Sequence, residues 1–366
     1  MGSLVFNRLD RVADFRLKGY VTPAGTPVGG DFSAFWTAAK AMAAGDAAAI
    51  YDPAVFQDWL ARVAPAQERW GLTWQYPPTY FFIIGLLALM PYGLGYALWS
   101  GGGLALFAAS SRAAGVKGAA LLIMLAAPAL FQTFITGQNG FLTASLLLGA
   151  TVLPDKRPLV AGACAALLTI KPQLGLLLPI AYIAAGHWRA FGAAAVGAIL
   201  LAAASIAAFG FAPWAVFFDS IVGVSGRVSD GVMPLFKMPT VFAAFSLAGF
   251  PSAIAAMLHL MGAGAAVWAT WVIWRRYDCR ALKAAVICAG AFLVAPYAYY
   301  YELVIIAAPV ALLAMDAARD GWRRHDHLLL AGMFLLPMLL PGEPTQTGFN
   351  MAFVVTVLAF VFVLRR

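Results

Sequence analysis

The feature that most constrains this chain is a succession of apolar runs separated by short breaks. The twelve runs lie near residues 79–90, 93–110, 118–135, 141–153, 159–170, 172–185, 190–211, 240–274, 284–297, 302–315, 327–340 and 349–364. Only 11% of the residues are charged, whereas a soluble globular protein carries about 25%. Charge this scarce excludes a soluble enzyme, a disordered chain and a disulfide-built secreted domain. The sequence predicts a polytopic membrane protein whose apolar exterior faces lipid.

The small residues favour helices over the strands of a porin-type barrel. The chain contains 35 Gly and abundant Ala, which let membrane helices approach one another closely. We therefore expect an all-α transmembrane bundle that forms a single domain over residues 1–366.

Two kinds of break alternate from residue 93 to the end. The basic breaks are at Arg112/Lys117, Lys156/Arg157, His187/Arg189, Arg275 to Lys283, Arg319 to Arg324 and Arg365/Arg366. The others are at 137–140, 171–173, 212–239, 296–302 and 341–344. By the positive-inside rule the basic set is cytoplasmic, which predicts about eleven spans within 93–366 and a cytoplasmic C-terminus. The net charge of +8 is thus assigned to membrane loops, and no nucleic-acid partner is expected.

Residues 19–92 are predicted to form an extracytoplasmic loop. The run at 79–90 covers only about 18 Å, less than the hydrocarbon core, so we expect an interfacial or half-inserted helix. Two amphipathic, aromatic-rich segments near 32–44 and 53–63 predict helices that lie on the membrane surface.

The N-terminal tail does not fit this topology simply. Its basic residues resemble a cytoplasmic cluster: Arg8, Arg11, Arg16 and Lys18. No apolar stretch at 19–30 could cross the membrane after them. Either these charges lie outside, or the chain begins within a first helix whose upstream part is absent.

Asp31 and Lys171 are the leading candidates for chemistry on the non-basic face. Asp31 precedes an aromatic helix, where it could cap the helix or act as a general base at the membrane edge. Lys171 is the one basic residue of the short non-basic breaks. It could snorkel toward the headgroups or hold a lipid phosphate.

Further polar residues on this face also have two interpretations. Gln138 and Asn139 could cap helix ends or bind sugar hydroxyls. Glu302 begins an apolar run, so it should pair with a cation or face a wet cavity. Lys237 and Arg227 are loop charges or second candidates for a phosphate.

Neither the cysteines nor the histidines indicate a metal site. The three cysteines form no CxxC pair, and we interpret them as small core residues. The four histidines form no HExxH motif.

Several motifs spread over most of the chain resemble glycosyltransferase family 87, a group of GT-C enzymes with polyprenyl-phosphate-mannose-dependent α-mannosyltransferases among its members. They are Gly29-Gly30-Asp31-Phe32-Ser33-Ala34-Phe35-Trp36, Tyr51-Asp52-Pro53, Tyr76-Pro77-Pro78-Thr79, Met90-Pro91-Tyr92 with Trp99, Gly137-Gln138-Asn139-Gly140, Lys171-Pro172-Gln173 and Ala295-Pro296-Tyr297.

The resemblance implies a GT-C-like fold and an inverting transfer of a hexose, mannose in such relatives, from a polyprenyl phosphate. Asp31 corresponds to the catalytic aspartate of the first extracytoplasmic loop. Lys171, and less directly Lys237, would stabilise the leaving phosphate. The remaining substrate-binding candidates are Gln138, Asn139, Tyr76, Tyr300 and Glu302.

The resemblance also implies the surroundings of the reaction. No metal or other cofactor is expected, because a lysine would stabilise the leaving phosphate; the lipid-linked sugar is the donor substrate. The acceptor would be a glycolipid or glycan outside a bacterial-type inner membrane, and the polyprenyl chain would lie between helices. Relatives have a membrane helix before the aspartate loop that this chain lacks. Some carry a His in the region of Tyr297–Tyr301, where this chain has Tyr.

Two other classes of protein are alternatives. A transporter or flippase of a lipid-linked sugar would show two matching halves with broken helices, but no convincing repeat is found. A catalytically idle membrane scaffold would not need the intact block around Asp31.

Overall fold

The computed structural model describes residues 28–63, 72–229, 235–339 and 350–366. The regular structure in these ranges is helical, as predicted. The helices are α1 (Phe32–Ala43), α2 (Pro53–Val63), α3 (Phe81–Ile84), α4 (Tyr92–Ala114), α5 (Gly118–Leu125), α6 (Pro128–Ile135), α7 (Gly140–Val152), α8 (Pro158–Leu167), α9 (Leu178–Ala185), α10 (Trp188–Phe209), α11 (Ala212–Ser229), α12 (Val241–Leu247), α13 (Ser252–Arg276), α14 (Arg280–Val294), α15 (Val304–Asp320), α16 (Asp326–Leu335) and α17 (Met351–Leu364). The N-terminal basic cluster and the break at 341–344 lie outside the described residues.

Three helical segments of the described chain are long and apolar enough to cross a membrane: Trp188–Phe209, Ser252–Arg276 and Tyr300–Asp320. The pair α5 and α6, bent by 45°, would be a fourth if it forms one span. Six further apolar helices have 10–17 residues. The predicted eleven spans therefore stay a prediction, because breaks shorten many of the helices.

Lys171 illustrates how a break shortens the helices. It lies between two 3-10 turns, Leu168–Ile170 and Pro172–Leu174, after α8 and before α9. The Tyr182 hydroxyl oxygen of α9 lies 3.4 Å from the Ala161 carbonyl oxygen of α8. The two helices thus form a hairpin with Lys171 at its tip.

The described chain divides into two compact units. The first contains the described residues up to Gly103 together with Phe134–Gln138 and Leu200–Ser225, and the second contains the rest. Helices α4, α6, α10 and α11 contribute residues to both units. The prediction of a single domain stays a prediction.

In the first unit α1 is enclosed by protein, which differs from the expected surface helix. Nine of its 12 residues are buried. The Trp36 indole N–H donates to the Met90 carbonyl (3.0 Å), and the Lys40 ammonium donates to the Ala88 carbonyl (2.6 Å). The segment from Pro78 to Leu89 is broken into short turns, and it packs on α1. The aromatic side chains contact one another here, which explains their abundance without a membrane surface. By contrast α2 is amphipathic, as expected, with Phe56 buried and Arg62 exposed.

The second unit is built around α14. Thirteen of its 15 residues are buried, and α7, α13, α15 and α17 pack on it. Small residues permit close packing within this unit, as predicted. A Cβ atom at Gly290 would lie 2.8 Å from Leu177, and one at Gly162 would lie 2.6 Å from the Ala190 carbonyl oxygen.

Contacts in the second unit join breaks of the same kind. His187 lies 3.5 Å from Asp155, which links two basic breaks. Arg366, in the C-terminal basic break, pairs with Asp326, which follows the basic break at Arg319 to Arg324. At the non-basic breaks, Lys171 pairs with Glu302. Within this unit, these ion pairs therefore join basic breaks to basic breaks and non-basic breaks to non-basic breaks.

Candidate functional site

Two glycine turns build the region around Asp31 in the first unit. Gly29 and Gly30 precede Asp31 with φ +88° and +46°, and Gly137 precedes Gln138 with φ +60°. Glycine adopts such left-handed conformations without steric cost. A Cβ atom at Gly137 would lie 2.7 Å from the Gly29 carbonyl oxygen, so the two turns are in direct contact. The glycines thereby bring together two segments that are far apart in sequence.

The contact between the turns joins two predicted site residues. The Gln138 side-chain amide Nε2–H donates to Asp31 Oδ2 at 2.6 Å. Asp31 is half-buried and Gln138 is buried. Asp31 also occupies the N-cap position of α1, but its side chain makes no capping hydrogen bond. Of the two interpretations of Asp31, the side-chain cap is therefore not the one observed.

One face of α4 fixes both turns. Its three bonds run from the Tyr92 hydroxyl to the Val28 carbonyl (2.7 Å), from the Tyr96 hydroxyl to the Phe134 carbonyl (3.0 Å) and from the Trp99 indole N–H to the Gly137 carbonyl (3.0 Å). These positions have i, i+4, i+7 spacing and so share a helix face. Tyr92 and Trp99 belong to sequence motifs but were not predicted as site residues, and Tyr96 was not identified from the sequence. Their aromatic spacing is the signal that could have found them.

Tyr76 belongs to an aromatic cluster in the same unit. Its ring stacks on Tyr80 with 4.4 Å between centroids and meets Phe35 edge-on at 5.5 Å. Phe35 lies one helical turn after Asp31 on α1. The Tyr51 hydroxyl donates to the Tyr76 carbonyl at 2.6 Å. Tyr76 is thus held within the protein body that carries Asp31.

Lys171 and Glu302 form a buried ion pair in the second unit. The Lys171 ammonium lies 2.5 Å from Glu302 Oε1, and the two residues are 5% and 1% exposed. Glu302 Oε2 accepts a hydrogen bond from the Tyr299 backbone N–H at 3.2 Å. Glu302 therefore pairs with a cation, which was one of its two alternatives. Lys171 does not snorkel, because its side chain is turned into the protein.

Tyrosines surround this ion pair. The Tyr301 ring centroid lies 5.3 Å from the Lys171 ammonium, and Tyr300 contacts Tyr301 edge-on at 5.6 Å. Burial raises the pKa of the Tyr297 phenol; the charge of Glu302 adds to the rise and that of Lys171 opposes it. The Tyr297 phenol is therefore neutral at pH 7.

The start of α7 contacts the tyrosine-rich segment in the same unit. A Cβ atom at Gly140 would lie 3.0 Å from the Tyr301 carbonyl oxygen, and the Thr133 hydroxyl donates to that oxygen at 2.8 Å. Asn139 is 2% exposed at the N-cap position of α7, yet its side chain makes no capping bond. As for Asp31, capping does not explain the residue.

The remaining basic candidates differ from Lys171. Lys237 ends the short turn Leu235–Lys237 and is exposed, with its ammonium 5.6 Å from the Phe236 ring centroid. The side chain of Arg227 lies outside the described residues. Across the described ranges no three His, Cys, Asp or Glu side chains converge on a point suited to a metal.

The profile of glycosyltransferase family 87 matches residues 74–296 of the chain. This range includes Gln138 and Lys171, whereas Asp31 precedes it and Glu302 follows it. Searches of curated proteins and of solved structures found no match. The family match covers more than half of the chain, and the apolar helices fit a membrane protein. The chain belongs to glycosyltransferase family 87, and it is a membrane glycosyltransferase.

Proposed function

We propose that the protein transfers a hexose, mannose in the simplest case, from a polyprenyl phosphate to an acceptor hydroxyl with inversion at the anomeric carbon. The observation that carries this proposal is the orientation of Asp31 by Gln138. Asp31 occupies an N-cap position without capping the helix, and the Gln138 amide donates a hydrogen bond to its carboxylate. In a glycosyltransferase these are the features of a positioned general base.

The chemistry assigned to Asp31 is a single displacement. The acceptor oxygen forms a bond to the anomeric carbon as the bond from that carbon to the phosphate oxygen breaks. Asp31 takes the proton of the acceptor hydroxyl, and the polyprenyl phosphate leaves with the bonding electron pair. The Gln138 amide fixes the carboxylate during this step.

Lys171 is the cation that we assign to the leaving phosphate, with exposed Lys237 as the second candidate. A developing phosphate anion needs a nearby positive charge, and a buried ammonium is effective because water does not screen it. Glu302 holds Lys171 in position. Tyr300, Asn139, Gln138 and Tyr76 are assigned to sugar and phosphate hydrogen bonds.

An apolar cavity of about 560 Å³ supports a lipid donor. It lies in the second unit, begins at Leu303 beside Glu302 and follows one face of α15 through Ile306, Val310 and Met315. At about 1.5 Å per residue this face extends for roughly 20 Å, which suits several isoprene units. The apolar cavity thus begins one residue after Glu302, the partner of Lys171.

The proposed topology, location and acceptor follow from the sequence. We propose a GT-C-like bundle of about eleven spans in a bacterial-type inner membrane, with one domain over residues 1–366. The loop at 19–92 and the site would be extracytoplasmic, and the C-terminus cytoplasmic. The acceptor would be a glycolipid or glycan, and no cofactor or nucleic acid would take part.

Transfer of radiolabelled mannose from polyprenyl-phosphate mannose by the purified protein tests the proposal. We expect Asp31→Asn to lower kcat by about 10²- to 10⁴-fold with an unchanged unfolding midpoint. Asp46→Asn is the matched control on an acid of the same loop. Retained activity in Asp31→Asn would remove this residue from the mechanism, and donor movement across a vesicle without transfer would favour a flippase.

The phosphate role needs a variant that keeps the interior neutral. Lys171→Met combined with Glu302→Leu removes both charges, and Lys237→Met is the exposed counterpart. We expect the double variant to raise the donor KM and leave the acceptor KM unchanged. An unchanged donor KM in the double variant, with a raised one in Lys237→Met, would transfer the role to Lys237.

A further inference from the structure

A polar cavity of about 490 Å³ lies in the second unit where three basic breaks meet. Its charged side chains and its histidine are Asp155, His187, Arg275, Arg276, Asp278 and Lys283. The cavity is formed between the end of α9, the start of α10 and the junction of α13 and α14. None of these residues takes part in the proposed transfer.

Lys283 is the unusual member of this cavity. It is only 7% exposed, with its ammonium 5.7 Å from the Trp274 ring centroid. The nearest carboxylate, Asp278, lies 3.8 Å away and is fully exposed, so water screens its attraction. A desolvated ammonium is costly without a close anion. The protein itself therefore compensates the positive charge of Lys283 only weakly.

The local helix end adds to the positive potential. Lys283 and Arg280 both lie in the first turns of α14, which contains no acidic residue in its first turn. The N-cap residue, Cys279, makes no side-chain cap. A helix N-terminus carries a partial positive charge and favours anions, and the two cations add to that charge; the Asp316 carboxylate, 3.6 Å from the Cys279 thiol, offsets part of it.

The other groups of the cavity leave an excess of positive charge. Burial lowers the pKa of His187; Asp155, 3.5 Å away, opposes the shift and Lys283 adds to it. His187 is therefore neutral at pH 7. Three cations, Lys283, Arg275 and Arg276, then face the two carboxylates of Asp155 and Asp278. An anion with a single negative charge would balance the site.

The edge of the cavity resembles a headgroup layer. Trp188 and Tyr277 line it and are 62% and 48% exposed. Aromatic and basic side chains at the ends of apolar helices are typical of the membrane–water interface. Basic pockets between such helix ends bind the phosphates of anionic lipids. A soluble anion would not need the exposed aromatic rings.

We propose that this cavity binds the phosphate group of an anionic phospholipid, with Lys283 as its buried contact and Arg275 and Arg276 at the rim. The headgroup fills the polar cavity, and its acyl chains lie along the adjacent apolar helices. The site is separate from the proposed donor site and does not depend on the proposed reaction.

Native mass spectrometry and thermal unfolding of the purified protein test this binding. The probes are phosphatidylglycerol, phosphatidylcholine and inorganic phosphate. We expect phosphatidylglycerol alone to remain bound and to raise the unfolding temperature, and Lys283→Met to weaken its apparent affinity about tenfold. Lys283→Arg should keep most of the affinity.

A matched control is Arg112→Met, which removes an exposed charge from another basic break. An equal loss of phosphatidylglycerol binding in Arg112→Met would show a diffuse charge effect and overturn the site. Equal retention of phosphatidylcholine by the wild type would overturn it too. Stabilisation by inorganic phosphate to the same extent would replace the lipid with a soluble anion as the occupant.

Discussion

Two lysines of the second unit are almost equally buried but are neutralised in different ways. Lys171, 5% exposed, lies 2.5 Å from a carboxylate that is itself buried. Lys283, 7% exposed, lies 3.8 Å from the fully exposed carboxylate of Asp278. The first charge is balanced within the fold, and the second leaves its balance to something outside the chain. Burial of a lysine alone therefore does not indicate how its charge is balanced; the burial of its carboxylate partner does.

Glu302→Gln should give the largest change in stability, because it leaves the Lys171 ammonium buried without a carboxylate. Loss of one partner of a buried pair costs about 3–5 kcal/mol. Unfolding by SDS in detergent micelles measures this free energy. The double variant Lys171→Met/Glu302→Leu should recover most of it, since apolar residues can replace a buried pair. A single variant as stable as the wild type would show that Glu302 does not balance Lys171.

Asp31 differs from both lysines, because its carboxylate is held by a neutral amide, that of Gln138, which follows a glycine turn. Gly137→Ala should destabilise the first unit by about 2–3 kcal/mol, since it adds a side chain at positive φ where a Cβ atom meets the Gly29 carbonyl at 2.7 Å. Transfer activity should fall with the displaced Gln138. Gly186→Ala is the control, because Gly186 has φ +72° with nothing within 4 Å of its Cβ position. Equal effects in the two variants would mean that the contact between the turns is unimportant.

Trp99→Phe should have a smaller effect, because it removes one hydrogen bond to the Gly137 carbonyl and keeps the ring. We expect a loss of about 1 kcal/mol in stability. We also expect a lower kcat with an unchanged donor KM, because the turn that orients Asp31 loosens. Trp268→Phe is the matched control, since that side chain is 66% exposed. A rise in KM at constant kcat would assign Trp99 to substrate binding instead.

The sequence predicted the helical class and the alternation of breaks, because apolar runs and basic clusters are local patterns. It also singled out Asp31, Gln138, Lys171 and Glu302. It could not pair them, because Asp31 and Gln138 are 107 residues apart and Lys171 and Glu302 are 131 apart. Composition gives no information on which distant segments meet. For the same reason the aromatic residues of α1 suggested a membrane surface, whereas they pack against aromatic rings of distant segments such as Tyr76 and Tyr92.

Asp278→Asn should give the smallest change and is the direct counterpart of Glu302→Gln. Because the Asp278 carboxylate is fully exposed, its removal should leave the SDS unfolding midpoint unchanged. Since that carboxylate competes with an external anion for Lys283, phosphatidylglycerol affinity should rise about twofold. Asp320→Asn, at an exposed acid outside the cavity, is the control and should change neither quantity. A loss of stability like that of Glu302→Gln would mean that Asp278 balances Lys283 within the fold, and the two lysines would then be neutralised alike.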